Sequence, residues 1–233
     1  MEPIVYFGKE YKIAGGKLIV YIVFYSLYSF YIIYSSYLSP LQYKSIMVLP
    51  SSYLPPISWF TALMSGEPVF IEQNEHYQKQ TIRNRCTIDS PNGPLNLSLP
   101  VDRSYFTAGK CLMKDVRISD HSDWRRQHWY ALETSYFNSP FFEYLQDDFH
   151  AVYEKEWKYL IDFNEAMLSV CLDVMEIDKP LKRTDAFVGC DSLASFKKDV
   201  SYYQVFQQKH GFLPDLSIID LIFNMGKESV LYL

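Results

Sequence analysis

Two hydrophobic periods divide the chain near residue 120. Before it, apolar residues form short runs or alternate singly; beyond it they recur every three or four positions. Ile46–Leu49 is a short apolar run closed by Pro50, the pattern of a buried strand leaving a sheet. In the loop from Ser51 to Pro56 two prolines fix φ. Pro56 then opens a helix over Ile57–Met64, with Ile57, Phe60, Ala62 and Leu63 facing the core and Gly66 as its stop. Val69–Ile71 reads as a second strand, giving a strand–loop–helix–strand unit of the kind that builds a parallel sheet. Thr87–Ile88 and Leu95–Leu99 flank a Pro91-Asn92-Gly93-Pro94 turn. Leu95, Leu97 and Leu99 alternate with Asn96 and Ser98, which predicts a β-hairpin with one face buried. Met113–Ile118 is a further strand candidate through Val116 and Ile118.

From Ser119 the period is helical. Asp123 can cap a helix Trp124–Phe137, and Ser139-Pro140 offers a cap and first-turn proline for a helix around Phe141–Leu145. A long helix follows, with Leu160, Phe163, Met167, Val170, Cys171 and Val174 on one stripe and Asp162, Glu165, Ser169 and Asp173 opposite. Tyr202–His210 and Ser217–Met225, each followed by glycine, complete the set. The fold class predicted is α/β (α+β), a small mixed sheet with a β-hairpin in the first half and a helical second half.

Residues 1–46 break this pattern. No charge occurs from Leu18 to Tyr43, and nine of the twenty tyrosines precede Met47. The length permits a membrane helix over 18–38 flanked by Lys9, Lys12 and Lys17. The Tyr- and Ser-rich usage instead favours upstream sequence translated from a misassigned start, with the domain beginning at Met47; a packed domain element is the third reading. The expected organisation is an apolar extension over 1–46 and one domain over 47–233. The protein is expected in the cytoplasm, or at the inner membrane through 18–38.

Net charge −5 and a pI near 5.5 argue against nucleic acid as partner. Residues 1–46 carry +2 and the remainder −7. Cys86, Cys111, Cys171 and Cys190 show no metal-ligand or disulfide spacing, so they read as reduced thiols, and no metal is expected. No phosphate loop, dinucleotide fingerprint, nucleophile elbow or zinc-protease motif occurs, so the sequence names no cofactor.

The densest chemistry lies in Ile71–Pro100. In an extended segment Arg83 and Arg85 share a side and Asn84 takes the other; two guanidinium forks suit a phosphate or carboxylate, with Lys79 nearby. The alternative is that these cations pair with the domain's own acids. Glu72 and Glu75 follow the second strand, where ligands of open α/β sheets bind, and could serve as a base or pair with those arginines. His128, on the helix with Trp124, could shuttle a proton or simply pack. Tyr53, Trp59, Tyr77, Trp124, Trp129 and Tyr136 could form a sugar-stacking platform, Tyr53 first because its loop follows a strand end. Asp220, on an otherwise apolar helix, needs a partner and could find an arginine of the 83–85 run.

The segments LPSSYLPPISWF (49–60), VFIEQNEHYQKQTIRNRCTI (69–88), LSLPV (97–101), WRRQHWYALETSYFNSPFFEYL (124–145) and GFLPDLSIIDLIFNMG (211–226) together resemble the bacterial WbqC-like family. The resemblance covers 47–226 and none of 1–46. It implies a transferase of a small acyl or aminoacyl group in surface-polysaccharide (O-antigen) synthesis. Cys86 departs from the Asn that often closes the family's run there, and Glu72 from the usual Asp. Three functions are thereby open. A transferase would use Glu72 or His128 to move a proton, with Tyr53, Tyr77, Lys79, Arg83, Asn84, Arg85 and Trp124 holding a sugar or nucleotide-sugar. A non-catalytic module would bind a phosphorylated or carboxylated ligand in the same pocket. A membrane-anchored scaffold would require residues 18–38 to be genuine.

Overall fold

A computed structural model of the chain describes residues 4–6, 9–11, 46–198 and 200–233. The chain divides into two compact units, Met1–Tyr43 and Lys44–Leu233. In the first, β1 (Ile4–Tyr6) and β2 (Lys9–Tyr11) pair antiparallel. The helix expected over 18–38 lies outside the described residues. Among the described residues no helix is long and apolar enough to cross a membrane.

The second unit is built on a parallel sheet. β3 (Met47–Pro50) and β4 (Val69–Glu72) lie in register from Met47 against Val69 to Pro50 against Glu72, joined by α1 (Ile57–Ser65). All four β3 residues are buried, the mark of a strand covered on both faces. Trp59 fastens α1 to the strand it left, its indole N–H donating to the Pro50 carbonyl at 3.0 Å. A third parallel strand, β9 (Leu181–Arg183), pairs with β4 on its other side. The hydrophobic pattern did not announce it: a three-residue strand with one apolar side chain is made by its non-local partner.

The hairpin forms as β5 (Arg85–Ile88) against β6 (Leu95–Ser98), with Gly93 at φ +98° in its turn. Its buried face holds Cys86, Ile88, Leu97 and Leu99, whereas Leu95 is exposed. β7 (Val101–Asp102) pairs with β8 (Arg117–Ile118). The strand expected over Met113–Ile118 is only its last two residues. Met113–Asp115 forms a 3-10 turn because the Met113 and Lys114 amides bond the Glu75 and Gln73 carbonyls, which buries Met113 and Val116 at a spacing of three.

The helices are α2 (Trp124–Tyr136), α3 (Phe142–Glu154), α4 (Leu160–Val174), α5 (Gln207–His210) and α6 (Ile218–Met225). Asp123 precedes α2 without a capping bond, its carboxylate instead pairing with Arg126 at 2.6 Å. The helix expected over Phe141–Leu145 runs to Glu154, burying Phe149, Val152 and Tyr153, and that expected over Tyr202–His210 contracts to four residues. On α4 the apolar stripe is as expected, with Leu160, Phe163, Met167 and Cys171 buried. Each such large apolar side chain contributes roughly 1.5–3 kcal/mol. Asp162 and Glu165, on the opposite face, hold Arg183 of β9 at 2.7 and 2.6 Å. Ser217 caps α6, accepting from the Ile219 amide, and Gly226 ends it at φ +59°.

Asp220 finds phenols rather than an arginine. Tyr136 donates to its Oδ1 at 2.9 Å, and Tyr202 and Gln204 donate to its Oδ2 at 2.5 and 3.2 Å. Burial, reinforced by the charge of buried Asp89, outweighs these bonds and raises its pKa to about 6. Because the folded state binds this proton more tightly than the unfolded chain, the stabilisation is full below the unfolded pKa near ~4 and is lost as pH rises through about 6. Thermal melts from pH 4 to 7.5 should therefore show wild type losing stability relative to Asp220→Asn by about 3 kcal/mol. Parallel profiles for the two proteins would contradict it.

Candidate functional site

All three parallel strands end at one edge, where ligands of open α/β sheets usually sit. Glu72 is fully buried there and its carboxylate is saturated. Oε1 accepts from the Asn74 amide and the Thr184 hydroxyl at 2.7 and 2.8 Å, and Oε2 accepts from the Val188 and Gly189 amides at 2.8 and 3.1 Å. Burial alone would raise its pKa, but these four bonds more than offset it and hold the carboxyl below the usual range. This geometry makes Glu72 the clamp that fastens the 184–189 loop to β4, with no oxygen facing a substrate.

Beside it lies a second buried carboxylate, Glu75, gripping Arg83 through two parallel bonds, Nε to Oε1 at 2.7 Å and Nη2 to Oε2 at 2.5 Å. Both side chains are almost fully buried. The surrounding backbone is tied in as well. Asn164 of α4 donates to the Arg83 carbonyl and to Ser51 after β3, and Asn84 donates to the Leu99 carbonyl. Cys190 leans on the same pair, its thiol 3.7 Å from Glu75. Burial and the neighbouring carboxylate push that thiol up to about 12, so it is no thiolate at neutral pH. The expectation that Arg83 and Arg85 share one side is corrected. Only Arg85 belongs to the hairpin strand; Arg83 precedes it and turns inward.

His128 is equally enclosed. Its Nδ1 meets the Tyr53 hydroxyl at 2.9 Å, and Tyr53 bonds Tyr153 at 2.5 Å. The imidazole stacks on Tyr53 and receives the Trp124 ring edge-on. Burial lowers its pKa to about 4, so the ring is neutral at physiological pH. Tyr53 is fully buried among Phe163, His128 and Tyr153, and Trp124 is buried beside the same rings. Tyr53, Trp124 and His128 are thus brought together in the core beneath the edge rather than in a pocket.

An accessible concavity lies on the other side of the hairpin. A cleft of about 280 Å³ opens between the Leu54–Pro56 turn, the Gln80–Ile82 turn, Arg85–Thr87 of β5, and Asp215 with Ser217 before α6. Arg85 lines it, half-buried, with Nε donating to Ser98 at 2.8 Å across the hairpin. Among the described residues no carboxylate pairs with its guanidinium. Asp215, opposite, accepts from the Ser58 amide and pairs with Lys197 at 3.2 Å. Lys79 is exposed near the mouth in sequence, and Tyr77 is half-buried, edge-on to Phe106 at 6.0 Å. Burial pushes the Tyr77 phenol up to about 12 against the opposing charges of Arg103, Arg83 and Arg85. Of the nine candidate residues, Arg85 alone lines this cleft. Gln80, Thr81, Asp215 and Ser217 were not foreseen; the only sequence signal for them was the break in period between elements. Among the described residues no group of three or more His, Cys, Asp or Glu side chains is placed to hold a metal.

The sequence profile of the WbqC-like protein family matches residues 51–195, and the chain belongs to that family. It is 24% identical over 230 residues to the uncharacterized protein Rv1507c of Mycobacterium tuberculosis, covering 82% of this chain and 97% of that one. No solved structure matches the chain.

Removing one partner of a buried ion pair leaves the other charge uncompensated, at a cost of roughly 3–5 kcal/mol. Arg83→Met should therefore lower the denaturant midpoint sharply, whereas Arg85→Gln should stay within about 0.5 kcal/mol of wild type. Equal stability losses for the two variants in urea titrations would contradict the assignment.

Proposed function

We propose that this member of the WbqC-like family binds a phosphorylated or carboxylated small molecule of sugar size in the Arg85 cleft. One observation carries the reading: of the two arginines flanking Asn84, Arg83 is neutralised internally and Arg85 is left uncompensated at a concavity. A cationic fork with free N–H donors in a partly desolvated cleft is what an anionic oxygen pair requires. The volume, near the lower end for small-molecule pockets, suits a monosaccharide derivative better than a polymer.

Surface-polysaccharide synthesis, which the family resemblance implies, supplies ligands of this kind in phosphorylated and carboxylated sugars. In a transferase of a small acyl or aminoacyl group, the cleft would hold the anionic end of the donor or acceptor. Glu72 and His128 are then positioning residues for the edge and core, since neither offers an atom to the cleft. The enclosure of both favours binding over catalysis as this chain's own contribution.

Calorimetric titration of the full chain with a hexose 1-phosphate and a hexuronic acid tests this. Arg85→Gln should weaken binding of the anionic sugars by about tenfold or more, the loss of one charge-assisted contact, with the melting temperature unchanged. Unaltered affinity in that variant, or no binding of either sugar by the wild type, would overturn the proposal.

A further inference from the structure

The cleft that Arg85 lines is walled by three turns, each held in an unusual backbone conformation. Among the described residues five non-glycine residues take a positive φ, and three of them line this cleft: Leu54 at 41°, Gln80 at 58° and Asp215 at 54°. Left-handed backbone crowds a Cβ, and Leu54 has no short polar side chain to offset the cost. Such conformations persist where the surroundings impose them, and they gather at ligand sites. Here the imposing bonds are long-range. The Tyr53 amide donates to the Ile82 carbonyl at 2.9 Å, the Ile218 amide to the Pro55 carbonyl at 2.7 Å, and the Ser217 amide to the Thr87 carbonyl at 2.8 Å. The last bond sets the Asp215–Ser217 wall against β5, where Arg85 and Thr87 share a face.

Arg85 and Asp215 are the charged side chains lining this cleft, so its walls carry opposite signs. The Asp215 carboxylate is fixed by the Ser58 amide, which donates to its Oδ1 at 2.9 Å at the start of α1. Its Oδ2 meets Lys197 at 3.2 Å, but that lysine side chain is 64% exposed against 18% for Asp215. A pair with one partner so exposed is weak, and an ammonium carried by a ligand can take the place of the Lys197 ammonium without stranding a charge. We infer that Asp215 is a second binding determinant of the cleft and that its ligand is an amino sugar phosphate, the phosphate on the Arg85 fork and the ammonium on the Asp215 carboxylate. This rests on the reading of the Arg85 cleft as an anion site and names the ligand class. A ligand bearing only an anion places like charge against Asp215, whereas one bipolar across its length complements both walls. A cleft of about 280 Å³ holds a single sugar ring, which puts the two ends of one ligand within reach of both walls at once.

Calorimetric titration of the full chain with glucosamine 6-phosphate, glucose 6-phosphate and N-acetylglucosamine 6-phosphate tests this, at a mildly acidic pH that keeps the free amine protonated. The three probes share the phosphate and differ at one ring position. Glucosamine 6-phosphate is expected to bind about tenfold or more tighter than the other two. Asp215→Asn, which keeps an amide oxygen for the Ser58 amide, should erase that preference and leave glucose 6-phosphate binding intact; Arg85→Gln should weaken all three. Lys197→Ala, a change at an exposed side chain, should tighten glucosamine 6-phosphate alone by up to about fivefold, because the competing ammonium is gone. Equal affinity for glucosamine and glucose 6-phosphates, a preference shared by the acetylated sugar, or Lys197→Ala without effect on the amine-bearing probe would overturn the role of Asp215 and leave the Arg85 cleft standing. Binding of none of the three sugars, or no effect of Arg85→Gln on any of them, would overturn both readings.

Discussion

A carboxylate and a guanidinium buried together at the end of a parallel sheet set the terms for the rest of this molecule. Neither Glu75 nor Arg83 can lose the other without stranding a charge in a low-dielectric interior, so the segment between them is held to the sheet edge. The consequences run outward through the backbone. Asn164 ties the Arg83 carbonyl to α4, and the Asn84 amide ties the chain to Leu99, which fixes where the β5–β6 hairpin begins. Strand alternation then sends Arg85 to the face opposite Cys86. The open cation is a by-product of where the closed one is anchored.

The same edge separates structural from accessible polarity. Glu72 spends all its acceptor capacity on the 184–189 loop, and His128 is neutralised by burial between Tyr53 and Trp124. Residue types that suggest acid–base chemistry are thus the ones that close the fold. On the hairpin side the cleft instead presents Arg85, whose guanidinium has no carboxylate partner among the described residues.

Much of the architecture was legible where local pattern and tertiary need agree. The strand–helix–strand unit, the Asn-Gly hairpin and the amphipathic α4 each carry their own period or turn chemistry, and each formed within a few residues of expectation. Failures came where a distant partner decides. Leu181–Arg183 is a strand only because β4 leaves an unpaired edge, and Met113–Asp115 coils because Glu75 and Gln73 offer it carbonyls. For the site, the RNR run pointed to the right segment but could not divide its two arginines. Their division depends on Glu75, eight residues from Arg83, and on a cleft wall supplied by Asp215 and Ser217 more than a hundred residues on.

The division between the two arginines is most directly observed by nuclear magnetic resonance of their side-chain Nε–Hε groups during titration with inorganic phosphate. The account predicts a slowly exchanging Arg83 signal that does not move and an Arg85 signal that shifts saturably. A responsive, rapidly exchanging Arg83, or an Arg85 indifferent to phosphate, would contradict it.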